Sequence, residues 1–487
     1  MKKSLCIFIA LALFLGVAGC TGRQEPGAVD NEWTTSDAGT GDAGEKPAND
    51  TAKAPADTDP GTAIQPTGSG GVKAAVTAAY PEMPPYPEEK DYIQSDGSLS
   101  DEYFEAYDKW RDAQPAWAEK TEGFDAFYAR CIAEMLSDSD TENRVCSPVN
   151  IAVALSMLAE LTGSETRDQI LGLLGADSVE QLRQRTSALW KNNFRNDATG
   201  TTLLANSIWL DDRYPYKTAP LDTLAQEYYA SSYTGRMGSQ ELTAALRQWL
   251  SEQTGGLLDS QIQGIELTDD MILALCSTVY LSARWTHQFF NESTWEDVFH
   301  SPDGDVTREF MHEKSTQTYY HGQKFSSVCR SLDNVGDMWF ILPDEGVDCG
   351  DLLEDGEAME FMASDKGSVD SSFITVNLSV PKFDVCGDMD LTRVLQRMGV
   401  SDALDPSSAD FSPLTDQDGV YVSQARHAAR VKIDEEGCVA AAYNVMMAAG
   451  AALPPPDEVN FVLDRPFIFV ITGVDGSPLF AGTVNMP

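Results

Sequence analysis

The sequence predicts an α+β protein: a large, partly antiparallel sheet system covered by helices. Three observations carry this. Helical periodicity marks "GFDAFYARCIAEML", "SPVNIAVALSMLAELTG", "LTAALRQWLSEQTGG" and "DLTRVLQRMGV". Long strand-like runs follow late in the chain, in "MILALCSTVYLSARW", "SFITVNLSVPKFDV", "VYVSQARHAARVKI" and "RPFIFVITGVDGSPLFAGTV", the last broken by a Gly-rich hairpin turn. No Gly/Pro/Ser linker interrupts the stretch from residue 118 to 487, so these elements share one domain. A hydrophobic content of 42% with 9% aromatic residues is ample for its core.

Ahead of that domain the elements are simpler. Met1, Lys2 and Lys3 form a basic start, residues 5–15 an apolar run too short to span a bilayer, and Val17-Ala18-Gly19-Cys20 a bacterial lipobox-like end. Residues 1–19 therefore read as a lipoprotein signal peptide, with Cys20 the lipidated residue of an exported, membrane-tethered protein at the cell surface. Residues 20–80 are mostly Gly, Ala, Asp, Thr and Pro. So few large apolar side chains cannot offset the entropy of ordering, so this stretch is expected to be a disordered acidic stalk. Residues 81–117, Pro- and Tyr-rich, are expected to be a transitional segment holding one short helix.

Composition and motifs then exclude classes of function. A net charge of −42 repels phosphate backbones, so nucleic acid is not the partner. Neither a nucleophile elbow nor a phosphate loop is present, and the five histidines lack zincin spacing. Ser423 and His427, four apart on a strand, share a face but stand too far apart to touch. No catalytic group, metal or cofactor is expected. Nine cysteines without C-x-x-C spacing suggest no essential disulfide.

One stretch remains odd in so acidic a chain. "GCVAAAYNVMMAAGAALPPP", residues 437–456, carries no charge. The surrounding motifs explain it. "NRVCSPVNIAVALSMLAELTGSETRDQI", "LRQWLSEQTGGLL", "LSARWTHQF", "LPDEG", "VPKF", "LQRMGV", "ADFS", "VSQARHAARVKIDEEG" and "FVLDRPFIFVI…LFAGTVNMP" follow one another in the order and spacing of a serpin. By them the chain resembles that family over residues 120–487.

The resemblance implies the serpin fold, with three β-sheets, about nine helices and an exposed reactive centre loop. It implies a monomeric suicide-substrate inhibitor of serine proteases, whose cleaved loop enters the main sheet as a new strand and traps the acyl-enzyme. The alternative is a non-inhibitory member acting as protease substrate or binding module. Carried over residue by residue, the hinge is Glu435, Glu436, Gly437, Cys438, Val439, Ala440, Ala441 and Ala442. Gly437 is expected to turn without steric hindrance. The reactive bond joins Ala451 to Ala452, which suits a narrow apolar pocket of elastase- or subtilisin-like type. The sheet-opening region comprises Asn143, Ser147, Asn150, Ser277, Trp285 and His427. Ser277 stands where the family pattern has Asn, and Asn150 where it has Ser. Asn444 stands for the usual Thr, and its amide, once buried, needs partners.

Overall fold

The computed structural model describes residues 72–113, 121–137, 141–197, 200–364, 366–423, 425–438 and 457–487. All lie in one compact unit, Pro55–Pro487. The expected signal peptide at 1–19, Cys20, the hinge residues 439–442, Asn444 and the expected reactive bond at Ala451 and Ala452 lie outside the described residues.

The helices are α1 (Asp101–Ala113), α2 (Asp125–Leu136), α3 (Pro148–Leu161), α4 (Ser164–Leu173), α5 (Val179–Asn193) and α6 (Thr218–Glu227). After them come α7 (Gln240–Gln253), α8 (Asp259–Ile262), α9 (Cys349–Leu353), α10 (Gly356–Ala363) and α11 (Leu391–Arg397). Among the described residues these exceed the nine or so expected. The excess is α1, which precedes the expected domain, and the four- and five-residue pieces α8 and α9. Ser147 starts α3 by accepting the Asn150 N–H at 3.2 Å, with Pro148 at the first helical position, where its missing N–H is harmless. Helix α3 is buried on nearly every side, so its apolar residues follow no single stripe.

The main sheet has eight strands, in the order β1 (Lys73–Val76), β5 (Ala230–Gly235), β4 (Gly200–Asp211), β6 (Leu273–Arg284), β14 (Gly437–Cys438), β13 (Arg426–Ile433) and β12 (Phe383–Asp390), with β3 (Arg195–Asn196) on β4. The second has nine: β15 (Glu458–Val462), β11 (Asp370–Pro381), β8 (Gly304–His321), β9 (Phe325–Leu332), β10 (Gly336–Pro343), β16 (Phe467–Gly473), β17 (Pro478–Val484) and β2 (Arg144–Cys146), with β7 (Thr294–Ser301) beside β8. Two of the three implied sheets are thus continuous here. They join through the pairs Tyr320↔Ser327 and His321↔Ser326, where the long strand β8 meets β9. The run "SFITVNLSVPKFDV" serves both sheets: β11 ends at Pro381, and after Lys382 the chain crosses to β12.

The expected stalk stops short of residue 80. Lys73 and Ala74 pair with Thr234 and Tyr233, adding β1 to the edge of the main sheet. The Ala78 N–H donates to Ser231 Oγ at 3.1 Å. Tyr80, 5% exposed, packs with ring centroids 5.7 Å from Trp190 and 5.9 Å from Phe194, and its hydroxyl donates to Gln253 Oε1. Farther on, Trp110 Nε1 of α1 donates to Asp197 Oδ2 at 2.8 Å. Residues 72–80 carry one aromatic ring in a run of small side chains, and that ring finds a slot between α5 and α7. Replacing Tyr80 with Ala should lower the unfolding free energy of the full-length protein by about 3 kcal/mol, the usual loss for a buried aromatic. A denaturant midpoint unchanged from wild type would return Tyr80 to the stalk.

Candidate functional site

At the end of β13 the chain makes a tight turn built by Asp434. Its carboxylate accepts the N–H groups of Glu436 at 3.0 Å and Gly437 at 3.3 Å, while its own N–H donates to Gly437 O at 3.0 Å. The chain then reverses into β14, which lies between β13 and β6 and runs antiparallel to both. Trp285, 1% exposed, holds the turn from the β6 side: its backbone N–H donates to Glu436 O at 3.0 Å and its indole to Asp434 O at 2.8 Å. The Phe289 N–H donates to Glu435 O at 3.1 Å, and the Arg330 guanidinium lies 4.6 Å above the Phe289 ring. Lys382 Nζ meets Glu435 Oε1 at 2.7 Å, so the acidic hinge is tied to the crossing between the sheets.

Gly437 is required for a different reason from the one expected. Its backbone is not in the left-handed region; instead a Cβ there would stand 2.1 Å from Ala283 O and 2.7 Å from Arg284 Cα. Close approach to β6 excludes any side chain. The next residue, Cys438, stands opposite Ala283 and Ile433 and is 2% exposed. Burial pushes its thiol up to about 12, so at neutral pH it is a protonated small hydrophobe with no thiolate for redox chemistry. Beyond Cys438 no described strand lies between β6 and β13, and the two do not pair with each other.

A polar cluster stands behind that slot. Ser277 on β6 faces the start of α3: Asn150 Nδ2 donates to Ser277 O at 2.9 Å, and Ser277 Oγ contacts Asn150 Oδ1 and lies 2.6 Å from Asn206 Oδ1. Asn206 Nδ2 donates to Leu204 O and Tyr228 O, both at 3.2 Å. Across the slot, His427 Nε2 accepts the Ser147 N–H at 2.9 Å, so Nδ1 carries the proton of the neutral ring. A cavity of about 70 Å³ joins these walls, lined by Asn150, Ser277, His427, Leu275, Leu155 and Ala425 among others. A second, of about 100 Å³, lies on the opposite face beneath α7 and α8, lined by Leu246, Leu250, Ile262, Cys276, Thr278 and Ala428.

Of the residues read from the sequence, Glu435, Glu436, Gly437, Cys438 and Trp285 thus meet at the turn, and Ser147, Asn150, Ser277 and His427 meet at the cluster. Asn143 does not join the cluster. Its Oδ1 accepts the N–H groups of Asn485 at 2.7 Å and Met486 at 2.9 Å, clamping the chain's end beside β2. Three participants escaped sequence reading. Asn206 is a polar residue within a wholly buried strand, Asp434 sits two and three residues before the N–H groups it binds, and Lys382 sits inside "VPKF". Only Asp434 carries a local signal, an aspartate opening a turn just ahead of Gly437, whereas Asn206 and Lys382 meet their partners only through the fold.

Burial lowers the His427 pKa from 6.5 to about 4. Below pH 6.5 the unfolded imidazole takes up a proton that the folded one refuses until about pH 4. Stability therefore falls as pH drops through that window, by roughly 3 kcal/mol from this group. The loss of denaturant midpoint between neutral and mildly acidic pH should be smaller in His427→Gln than in wild type. Equal losses would show that His427 does not stay neutral.

The family model "Serpin (serine protease inhibitor)" matches residues 123–487. Alpha-1-antiproteinase 2 of Equus caballus is 28% identical over 358 residues, covering 72% of this chain and 82% of its own. The human leukocyte elastase inhibitor is 27% identical over 356 residues, covering 71% of this chain and 93% of its own. Among solved structures, the thermophilic serpin tengpin in its native state superposes with TM-score 0.68 at 24% identity, covering 75% of this chain and 94% of that one. Thyroxine-binding globulin complexed with thyroxine gives 0.62 at 23% identity, covering 75% and 98%. At these identities the structures show the shared fold. With the family model spanning most of the sequence, from before α2 to the last residue, the chain belongs to the serpin family.

Proposed function

We propose that the protein is a suicide-substrate inhibitor of elastase- or subtilisin-like serine proteases, trapping the acyl-enzyme as the segment after Cys438 enters the slot between β6 and β13. One observation carries the reading: β14 already occupies the top of that slot, antiparallel to both walls, with Cys438 buried. Continuing the same pairing down both walls adds some ten ladder hydrogen bonds, each worth roughly 1 kcal/mol net. Burial of apolar side chains adds to this, giving a driving force on the order of 10 kcal/mol. The uncharged composition of residues 437–456 supports the reading, since one buried, unpaired charge would remove several kcal/mol of that drive. Slow entry lets the protease finish hydrolysis and leave.

The bond between Ala451 and Ala452 is the proposed cleavage site, and the relative named leukocyte elastase inhibitor supports a protease with a small primary pocket. Lipidation at Cys20 would place this monomeric inhibitor at the surface of the exporting cell.

Mixing the protein with elastase should yield a protease adduct that survives SDS. Clipped protein without adduct would point instead to a non-inhibitory serpin. On insertion in the register of Cys438, Ala440 would stand opposite Leu281 and Val431. Ala440→Arg should therefore abolish the adduct while leaving the cleavage position unchanged, read by mass spectrometry.

A further inference from the structure

On its α7 and α8 side the slot is covered by a strap. Helix α7 packs over β6, and the chain beyond it is tied to the far wall. Arg430 Nη1 of β13 donates to Leu257 O at 2.9 Å, and Gln261 Nε2 of α8 donates to Cys386 Sγ of β12 at 2.8 Å. The cavity of about 100 Å³ lies between this strap and both walls, so an occupant touches all three.

Its lining is largely aliphatic. Leu246 and Leu250 come from α7, Ile262 from α8, and Leu267 and Met271 from the chain returning to β6. One polar group stands out among them. Thr278 follows Ser277 on β6 and so turns its side chain to the opposite face of the sheet, into the cavity. It is 2% exposed, and its hydroxyl has no hydrogen-bond partner among the described residues. A desolvated hydroxyl left unpaired is costly, so the cavity lacks one hydrogen-bonding group. Its opening lies at Glu266 and Ser423, both exposed.

These features define the chemistry of an occupant. No lysine, arginine or histidine lines the cavity among the described residues, and Glu266 stands at the opening, so a carboxylate or phosphate has nothing to pair with there. Apolar cavities of about 150 Å³ stay dry and hold one benzene-sized ring, so a space of this order takes a single small ring. A rigid ring also loses less freedom on binding than an alkyl chain of the same volume. The unpaired Thr278 hydroxyl selects a ring that carries one hydroxyl or N–H.

We propose that this cavity is a binding site for a small neutral aromatic of phenol or indole size carrying one hydroxyl or N–H, and that its occupant holds the slot closed. The first half is independent of the insertion reading above. The second rests on it, because a ligand touching β6, β13 and the strap opposes their separation.

The test titrates the intact full-length protein with phenol, benzene and benzoate by calorimetry. Phenol should bind at one site per chain, benzene several-fold more weakly, and benzoate not at all. Thr278→Val keeps the shape and removes an unpaired hydroxyl, so it should fold at least as well as wild type and bind phenol no better than benzene. Ala428→Leu, which fills the cavity from β13, should bind neither. Saturating phenol should raise the amount of protein needed to inhibit one equivalent of elastase in wild type and leave it unchanged in Ala428→Leu. Equal binding of phenol and benzene to wild type, or phenol binding that persists undiminished in Thr278→Val, refutes the site. Binding that leaves the elastase stoichiometry unchanged refutes the hold on the slot. If phenol binds as expected but no elastase adduct forms with or without it, the inhibitor reading falls and the site stands.

Discussion

The structure turns on a sheet held open at its centre. Strand β6 is laddered along its β4 side but, among the described residues, meets only the two of β14 on the other. Open strand edges present rows of unpaired N–H and C=O groups, and proteins usually cover or pair them. Here the edge lies inside the molecule, between α3 on one face and α7 with α8 on the other, with a cavity on each side. The walls β6 and β13 run in the same direction, because β14 is antiparallel to both. A chain that reverses at the top of the slot can fill it in that sense, and the hairpin at Asp434 makes that reversal.

The turn is correspondingly over-determined. Asp434 closes it with its own carboxylate, Trp285 binds it from β6 with backbone and indole, and Lys382 neutralises Glu435. These contacts hold the acidic residues at the rim, where water and a cation satisfy them, and release the chain into the slot only at Gly437. The geometry there leaves no room for a Cβ against β6. Two charged residues and then a glycine are therefore a single device: the charges stay out and the backbone goes in.

Much of this could be read from the sequence, and what could not has physical causes. Helices and strands with strong periodicity appeared where expected, and the order of motifs identified the family. The lengths of sheets did not follow, because whether β8 reaches β9 depends on two residue pairs that no local pattern marks. Tyr80 was assigned to the stalk because composition averages over a window and one ring among small residues is invisible to it, although that ring is nearly buried. Asn143 matched a family motif, but what an asparagine binds depends on which backbone lies beside it, here the chain's far end. Gly437 reads from the sequence as a freely turning hinge, whereas the structure shows no room for a Cβ there, and conformational freedom and lack of volume leave the same letter in a sequence.

The walls of the slot also account for the side chains that would line it. Were the proposed insertion to continue the register of Cys438, Ala440 would come between Leu281 and Val431, and Ala442 between Val279 and Ala429. Leu281 and Val431 are themselves 4% and 1% exposed, so the space left for a central residue is small and alanine fits it. Farther down, where the cavities open on both faces, the same continuation would bring the larger Met446 toward α3 and Tyr443, Val445 and Met447 toward α7 and α8. Under that insertion, side-chain size in residues 438–447 would follow the room at each level, small at the top and larger below. A run that looks featureless by charge alone would then match the shape of the slot it is proposed to enter.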